Sequence, residues 1–266
     1  MLSDRAFTRL GRSVLPGGEI PEEKIAETAG VVGAQVRAAR EAGATEIAAV
    51  ATAAIRNAPN RSELAAAVES AGGMPLWVLS PDEEARLSFV GATMTMREPP
   101  EGSIAVVDVG GGSTEVAIGT LDAGVDWSAS WDIGSGLLAD TYLHSDPPGS
   151  EELEAVRDHV AETFADADPP APDSAVAVGG TATSLRRFVG RSLSRKSLER
   201  GIEALAGEPA GEVAKRLDLD PERIRLLPAG IIVLEALSEK LGRRLRVARG
   251  GLREGVLIEL VGRREP

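Results

Sequence analysis

Between two short apolar runs the chain carries Asp108-Val-Gly-Gly-Gly-Ser-Thr-Glu115, an acid, three glycines, two hydroxyls and a second acid within eight residues. Gly110, Gly111 and Gly112 have no Cβ, so a turn built from them can take positive φ and bring several backbone N–H groups against an anion. Ser113 and Thr114 add hydroxyl donors. Asp108, at the end of the first run, could hold a magnesium ion or its waters beside a phosphate, and Glu115 opens the return strand. A glycine-rich hairpin with incidental acids is the plainer alternative. The company these groups keep favours a phosphate grip.

Other segments carry weaker signals of the same kind. Ser80-Pro-Asp-Glu-Glu84 sets two adjacent carboxylates, Glu83 and Glu84, at a helix start, where acids also simply complement the helix dipole. Helical spacing does not decide which of the two faces a site. In Ala51-Thr-Ala-Ala-Ile-Arg56-Asn-Ala-Pro-Asn60 a strand end flows into a helix start, the place where α/β proteins bind ligands, so Arg56 is either a phosphate ligand or a surface arginine. Gly179-Gly180-Thr181 joins a strand to a helix whose N-terminus could take a phosphate or a nucleotide. After it come Arg186, Arg187, Arg191, Arg195, Lys196 and Arg200 with only Glu199 opposing them, which is a solvated face or a track for a polyanion. His144 and His159 accompany no nucleophile signature and read as structural or surface residues.

Composition removes several classes of function. The 266 residues carry a formal charge of −12, which disfavours general adhesion to nucleic acid or anionic membrane yet leaves room for a local basic channel. Aromatics make up 3%, too few for a base-stacking surface. The chain has no cysteine, which excludes disulfides, thiolate chemistry and Cys-ligated zinc and fits a reducing, cytoplasmic setting. No apolar run approaches the roughly 20 residues that span a bilayer, and the start lacks a signal-peptide core.

The elements that must position these residues follow from periodicity. Ile25, Ala29, Val32, Val36 and Ala39 recur at helical spacing after Pro21. An apolar run at 46–51 reads as a buried parallel strand, followed by a helix over 59–71, a strand over 75–79 and a helix from Pro81 to about residue 96. Glu98-Pro-Pro-Glu-Gly102 breaks regular structure, so the expected division is an α/β domain over 1–98 and a second over 99–266. The second should open with a meander of strands at 104–109, 114–119 and 125–133. Helices at 137–144 and 149–165, a strand at 175–178 and a mostly helical remainder with a strand at 244–247 complete it.

Taken in order, the segments 51–60, 79–87, 107–115, Val178-Gly-Gly-Thr-Ala-Thr183 and Arg249-Gly-Gly-Leu-Arg-Glu-Gly255 resemble the exopolyphosphatase and guanosine pentaphosphate phosphatase family, over about residues 51–260. The resemblance implies a two-domain ribonuclease-H-like fold of the actin-like ATPase superfamily, with magnesium-dependent hydrolysis of a terminal phosphoanhydride in the cleft between domains. It also places the general base on Glu84, the acids beside the phosphate loop on Asp108 and Glu115, and the strand-end arginine on Arg56. Its expected substrates are inorganic polyphosphate or guanosine pentaphosphate, and dimerisation is a family expectation.

One departure stands out. The family opens with a strand and a first loop of the type Asp-x-Gly-Thr-Asn-Ser, and nothing like it precedes Arg5; Thr8 to Arg12 resembles the segment that usually follows the first hairpin. The expectation is therefore an incomplete first domain, either because Met1 lies downstream of the true start or because the chain lacks half of a phosphate clamp. In the second case it would be a catalytically impaired polyphosphate- or alarmone-binding protein.

Overall fold

The computed structural model describes residues 6, 8, 10 and 18–262, so most of the opening segment around Thr8 to Arg12, and with it the question of the first loop, lies outside the described residues. By their contacts these residues form two compact units, one reaching as far as Ser80 and joined by the chain from Leu260, the other running from Pro81 to Glu259.

In the first unit, helix α1 (Glu22–Glu41) buries Ile25, Ala29 and Val36, the stripe its periodicity predicts. It packs on α3 (Arg61–Gly72), where Gly33 lets the two backbones close: a Cβ there would stand 3.0 Å from the carbonyl of Ala71. Strand β1 (Ala49–Ala51) pairs in parallel with β2 (Leu76–Val78). The strand expected over 46–51 thus keeps only its second half, and a short helix α2 (Ala53–Arg56), not foreseen, follows it directly.

The second unit is built on a six-stranded sheet in the order β5-β4-β3-β6-β8-β7. Its strands are β3 (Ile104–Val109), β4 (Thr114–Thr120), β5 (Gly124–Trp131), β6 (Ser174–Val178), β7 (Ser192–Leu193) and β8 (Leu245–Val247). Strands β3, β6 and β8 are parallel, while β3, β4 and β5 form the expected antiparallel meander. The five strands other than the edge strand β7, namely β3, β4, β5, β6 and β8, have the ribonuclease-H-like arrangement, the fold class that the family resemblance implies.

Every residue of β3 is buried, because helices cover both faces of the sheet. One face bears α5 (Ser135–Tyr142), α6 (Ser150–Thr163), α7 (Gly179–Val189), α8 (Arg195–Ala206) and the long α10 (Pro221–Lys240), with α9 (Ala210–Leu217) packed behind. Ala105, Val107 and Val109 point into that core. The other face bears α4 (Pro81–Met94), whose Ala85, Phe89 and Ala92 pack on Ile104, Val106, Ala117, Val176 and Val178. The contacts of α4 place it in the second unit, so the division falls between Ser80 and Pro81, ahead of this helix, where the sequence reading sets it behind the helix at residue 98. The turn expected to act as a linker is instead tied down: the N–H and Oγ of Ser103 both donate to Asp173 Oδ2, at 2.8 and 3.0 Å.

The last helix, α11 (Leu252–Gly262), lies against α4 with almost nothing between the backbones. A Cβ on Gly91 would stand 1.9 Å from the carbonyl oxygen of Gly251, and one on Gly255 1.9 Å from that of Leu87. Arg86 and Glu259 close the same contact with an ion pair of 2.5 Å. Among the described residues no helix is long and apolar enough to cross a membrane.

Candidate active site

The alternation of β3 sets the site. Ile104 and Val106 face α4, so Asp108, two residues further, faces α4 as well. Register places Glu115 directly opposite Asp108 on the neighbouring antiparallel strand, and therefore on the same face. From the helix side, Glu84, Ser88 and Ala92 recur every four residues on the turn that meets the sheet, and all three are buried. Glu83 is only half-buried. The structure thus resolves what helical spacing leaves open, turning Glu84 rather than Glu83 toward the two sheet acids.

Three carboxylates in one apolar layer form an electrostatically costly arrangement. Burial pushes Asp108 above the ordinary carboxylate range, against a hydrogen bond of 2.7 Å that Ser88 Oγ donates to its Oδ2. Burial likewise drives Glu115 up, to about 8, helped by the negative charges of Glu84 and Asp108 and opposed by hydrogen bonds from Ser113 and Ser130. Ser130 Oγ sits 2.9 Å from Glu115 Oε1. Such a site gains most from a cation or from protons. Among the described residues no ready-made cage of three or more acids or histidines exists. Magnesium characteristically takes one or two carboxylates and completes its shell with water and substrate phosphate. Asp108 and Glu115, paired and charge-repelled, are the residues that fit it.

The glycine loop faces the same end of the sheet. Its carbonyls are taken up by the start of α5: the N–H of Ser135 donates to Gly110 O, and those of Gly136 and Leu137 to Gly111 O, each at 2.9 Å. Gly134 permits this approach, since a Cβ there would lie 2.5 Å from the carbonyl carbon of Gly111. Gly110 spends its own N–H on Ser113 O at 3.0 Å. Among the described residues nothing accepts from the amides of Gly111 and Gly112. The two hydroxyls have structural tasks: Thr114 Oγ1 donates to Ile133 O at 2.6 Å from full burial, and Ser113 serves Glu115.

The second glycine pair closes on the first. Gly179 has φ +82°, and a Cβ on it would stand 2.4 Å from Asp108 Oδ1, so only glycine lets the start of α7 reach the acid. Thr181 is buried with its hydroxyl 3.4 Å from Val109 O. Beside Gly180 stands Arg223 of α10: a Cβ on that glycine would be 3.6 Å from Nη1, which also donates to Ser184 Oγ at 3.3 Å. Arg56 belongs to the first unit, where its Nη1 donates 2.8 Å to Leu79 O and so ties the loop after β1 to the end of β2.

Glu84, Asp108, Glu115, the 110–114 loop and the Gly179–Thr181 turn therefore converge within one unit. Sequence reading missed Ser88, Ser130 and Arg223. No local motif flags them, because each enters the site from a different element and is recognisable only once the sheet register and the α4 and α10 faces are known.

The family model of the Ppx/GppA phosphatases matches residues 1–264. An uncharacterised protein of Streptomyces coelicolor is 31% identical over 94% of this chain and 79% of its own length. Exopolyphosphatase 1 of Mycobacterium tuberculosis is 28% identical over 97% of this chain and 79% of its own. A crystal structure of the Aquifex aeolicus Ppx/GppA family member superposes with a TM-score of 0.79 at 29% identity, covering 97% of this chain and 88% of that one.

Proposed function

The chain belongs to the Ppx/GppA phosphatase family, and on that premise we propose that it is a magnesium-dependent hydrolase that releases the terminal phosphate of inorganic polyphosphate. The observation that carries this reading is the buried set of Glu84, Asp108 and Glu115 beside a glycine loop with two uncommitted amides. In the proposed mechanism Glu84, held by α4, orients water and takes its proton as the water attacks the terminal phosphorus and the bridging P–O bond breaks, its electron pair leaving with the shortened polyphosphate. The amides of Gly111 and Gly112 donate to the terminal phosphoryl oxygens, and Arg223 beside Gly180 pairs with phosphate charge. Ser88 and Ser130 hold Asp108 and Glu115 in place. Bound at Asp108 and Glu115, magnesium would neutralise phosphate charge as it develops on the leaving group. No covalent enzyme intermediate is needed.

Guanosine pentaphosphate, the family's other substrate class, offers the same terminal phosphoanhydride to the same groups. The test is phosphate release by the 266-residue chain with magnesium, from tripolyphosphate, longer polyphosphates and guanosine pentaphosphate in parallel. Turnover of polyphosphate at a higher kcat/KM than the nucleotide supports the proposal. Tight binding of polyphosphate without any release would instead make the chain a binding protein and end the hydrolase reading.

A further inference from the structure

Two arginine-rich segments that lie far apart in sequence are joined at one edge of the sheet. Residues 186–200 and 243–254 hold eleven of the chain's 29 basic residues and two of its 41 acidic ones, a net +9, so the rest of the chain carries −21. Strand β7 brings them together: Ser192 pairs with Arg246, Leu193 with Leu245, and the N–H of Val247 donates to Arg191 O at 2.9 Å. Several of these cations have structural tasks. Arg187 caps the end of α9 through Asp218 O at 2.9 Å, and Arg195 pairs with Glu199 at 3.0 Å. Arg191, Arg246, Arg249 and Arg253 are exposed, and none has an acidic partner among the described residues.

This edge is continuous with the active site. Strand β8 runs parallel to β6 with Val247 beside Ala177, and the N–H of Ala248 donates to Ala177 O at 3.0 Å. The segment after β8 therefore leaves the sheet at the same end as Gly179: a Cβ on Gly251 would stand 3.3 Å from Val178 Cβ and 3.9 Å from the Gly179 amide nitrogen. Along that end the order is Asp108 on β3, Gly179 after β6, Arg249 after β8 and Arg191 before β7. Neighbouring strands lie about 4.8 Å apart, so the arginines begin roughly one strand beyond the phosphate loops and continue outward.

We propose that this arginine edge is a distal subsite that holds the body of a linear polyanion whose terminal phosphate lies at Asp108 and Glu115. The inference rests on the phosphoanhydride reading and deepens it, assigning an extended inorganic polyphosphate as the substrate class, since a guanosine pentaphosphate is too short to gain from charges several strands away. In an acidic protein, like charges gathered without partners repel one another, and an extended anion removes that cost. Nucleic acid fits less well. The two segments contain a single aromatic, Phe188, which is half-buried against the core, so no ring is offered for a base to stack on.

The test compares the wild-type chain with R191E/R246E, and with R191Q/R246Q should the reversal disturb folding. Steady-state kinetics on polyphosphate of about one hundred residues and on tripolyphosphate should show KM for the long chain rising about tenfold at low salt and far less at high salt, while tripolyphosphate kinetics move by less than about twofold. An unchanged long-chain KM overturns the subsite. If the wild type hydrolyses neither polymer, the hydrolase reading fails on its own, and equilibrium anisotropy with end-labelled long polyphosphate still reads the edge. Weakened binding by the variants supports the subsite, and equal binding removes it. Single-stranded RNA of matched charge binding the wild type as tightly as polyphosphate overturns the assignment to polyphosphate.

Discussion

At the scale of single residues, three carboxylates, Glu84, Asp108 and Glu115, share one buried layer. Glu115, raised to about 8, binds a proton in the folded chain over a pH range where the unfolded chain, near 4.5, has released it. The folded state therefore holds more protons than the unfolded one between those values, and stability falls as pH rises from about 5 to 8, by at most a few kcal/mol. Asp108, raised by burial, acts in the same direction. Thermal melts without divalent cation should show this fall, a shallower one in Glu115→Gln, and recovery on adding magnesium at pH 8. A melting temperature that climbs over the same range contradicts the site electrostatics. A second residue-scale expectation concerns Ser88, which donates to Asp108 from inside the layer. Ser88→Ala removes a charge-assisted hydrogen bond worth about 1.5–3 kcal/mol and should weaken magnesium activation, read as a rise in the magnesium concentration for half-maximal rate. An unaltered magnesium dependence would reduce Ser88 to packing. Asp108 and Glu115 were legible in the sequence because their motif is local. Helical spacing left Glu83 and Glu84 open, the family resemblance chose Glu84, and burial turns that same residue to the sheet acids, whereas Ser88, Ser130 and Arg223 needed the fold.

At the scale of elements the backbone contact between α4 and α11 explains a motif to which the sequence reading attached no role. The glycines of 249–255 make the seat of the helix that carries Glu84, with Gly251 against Gly91 and Gly255 against Leu87. A methyl at Gly255 cannot be housed without moving α4, and overpacking of this kind costs about 1–3 kcal/mol. Gly255→Ala should therefore lower the urea midpoint and reduce kcat more than it raises KM, because displacement of α4 moves Glu84 relative to the sheet acids. A variant with wild-type stability and kcat would show that the seat is loose. The long amphipathic and continuous apolar segments were readable from periodicity, since β3 and α1 repeat their patterns over enough residues. The two-residue β7 and the four-residue α2 were not, being shorter than any periodicity can register.

At the scale of the whole molecule, α4 shows why the domain division was hard to read. Glu98-Pro-Pro-Glu-Gly102 interrupts regular structure as an interdomain linker would, yet Asp173 pins the adjoining Ser103, and the helix before it buries Ala85, Phe89 and Ala92 on the second sheet. Local breakers report where the backbone turns, whereas the division depends on which core a helix covers. With α4 in the second unit, the proposed base, both acids and both glycine turns come from Pro81–Glu259. Glu84→Gln tests the proposed removal of a proton from the attacking water by Glu84, since glutamine keeps the shape and cannot accept that proton. Measured as magnesium-dependent phosphate release from tripolyphosphate, with circular dichroism and substrate binding as controls, kcat should fall by about 10²–10⁴-fold while the fold and binding persist. Full hydrolysis by a normally folded Glu84→Gln chain would contradict the account.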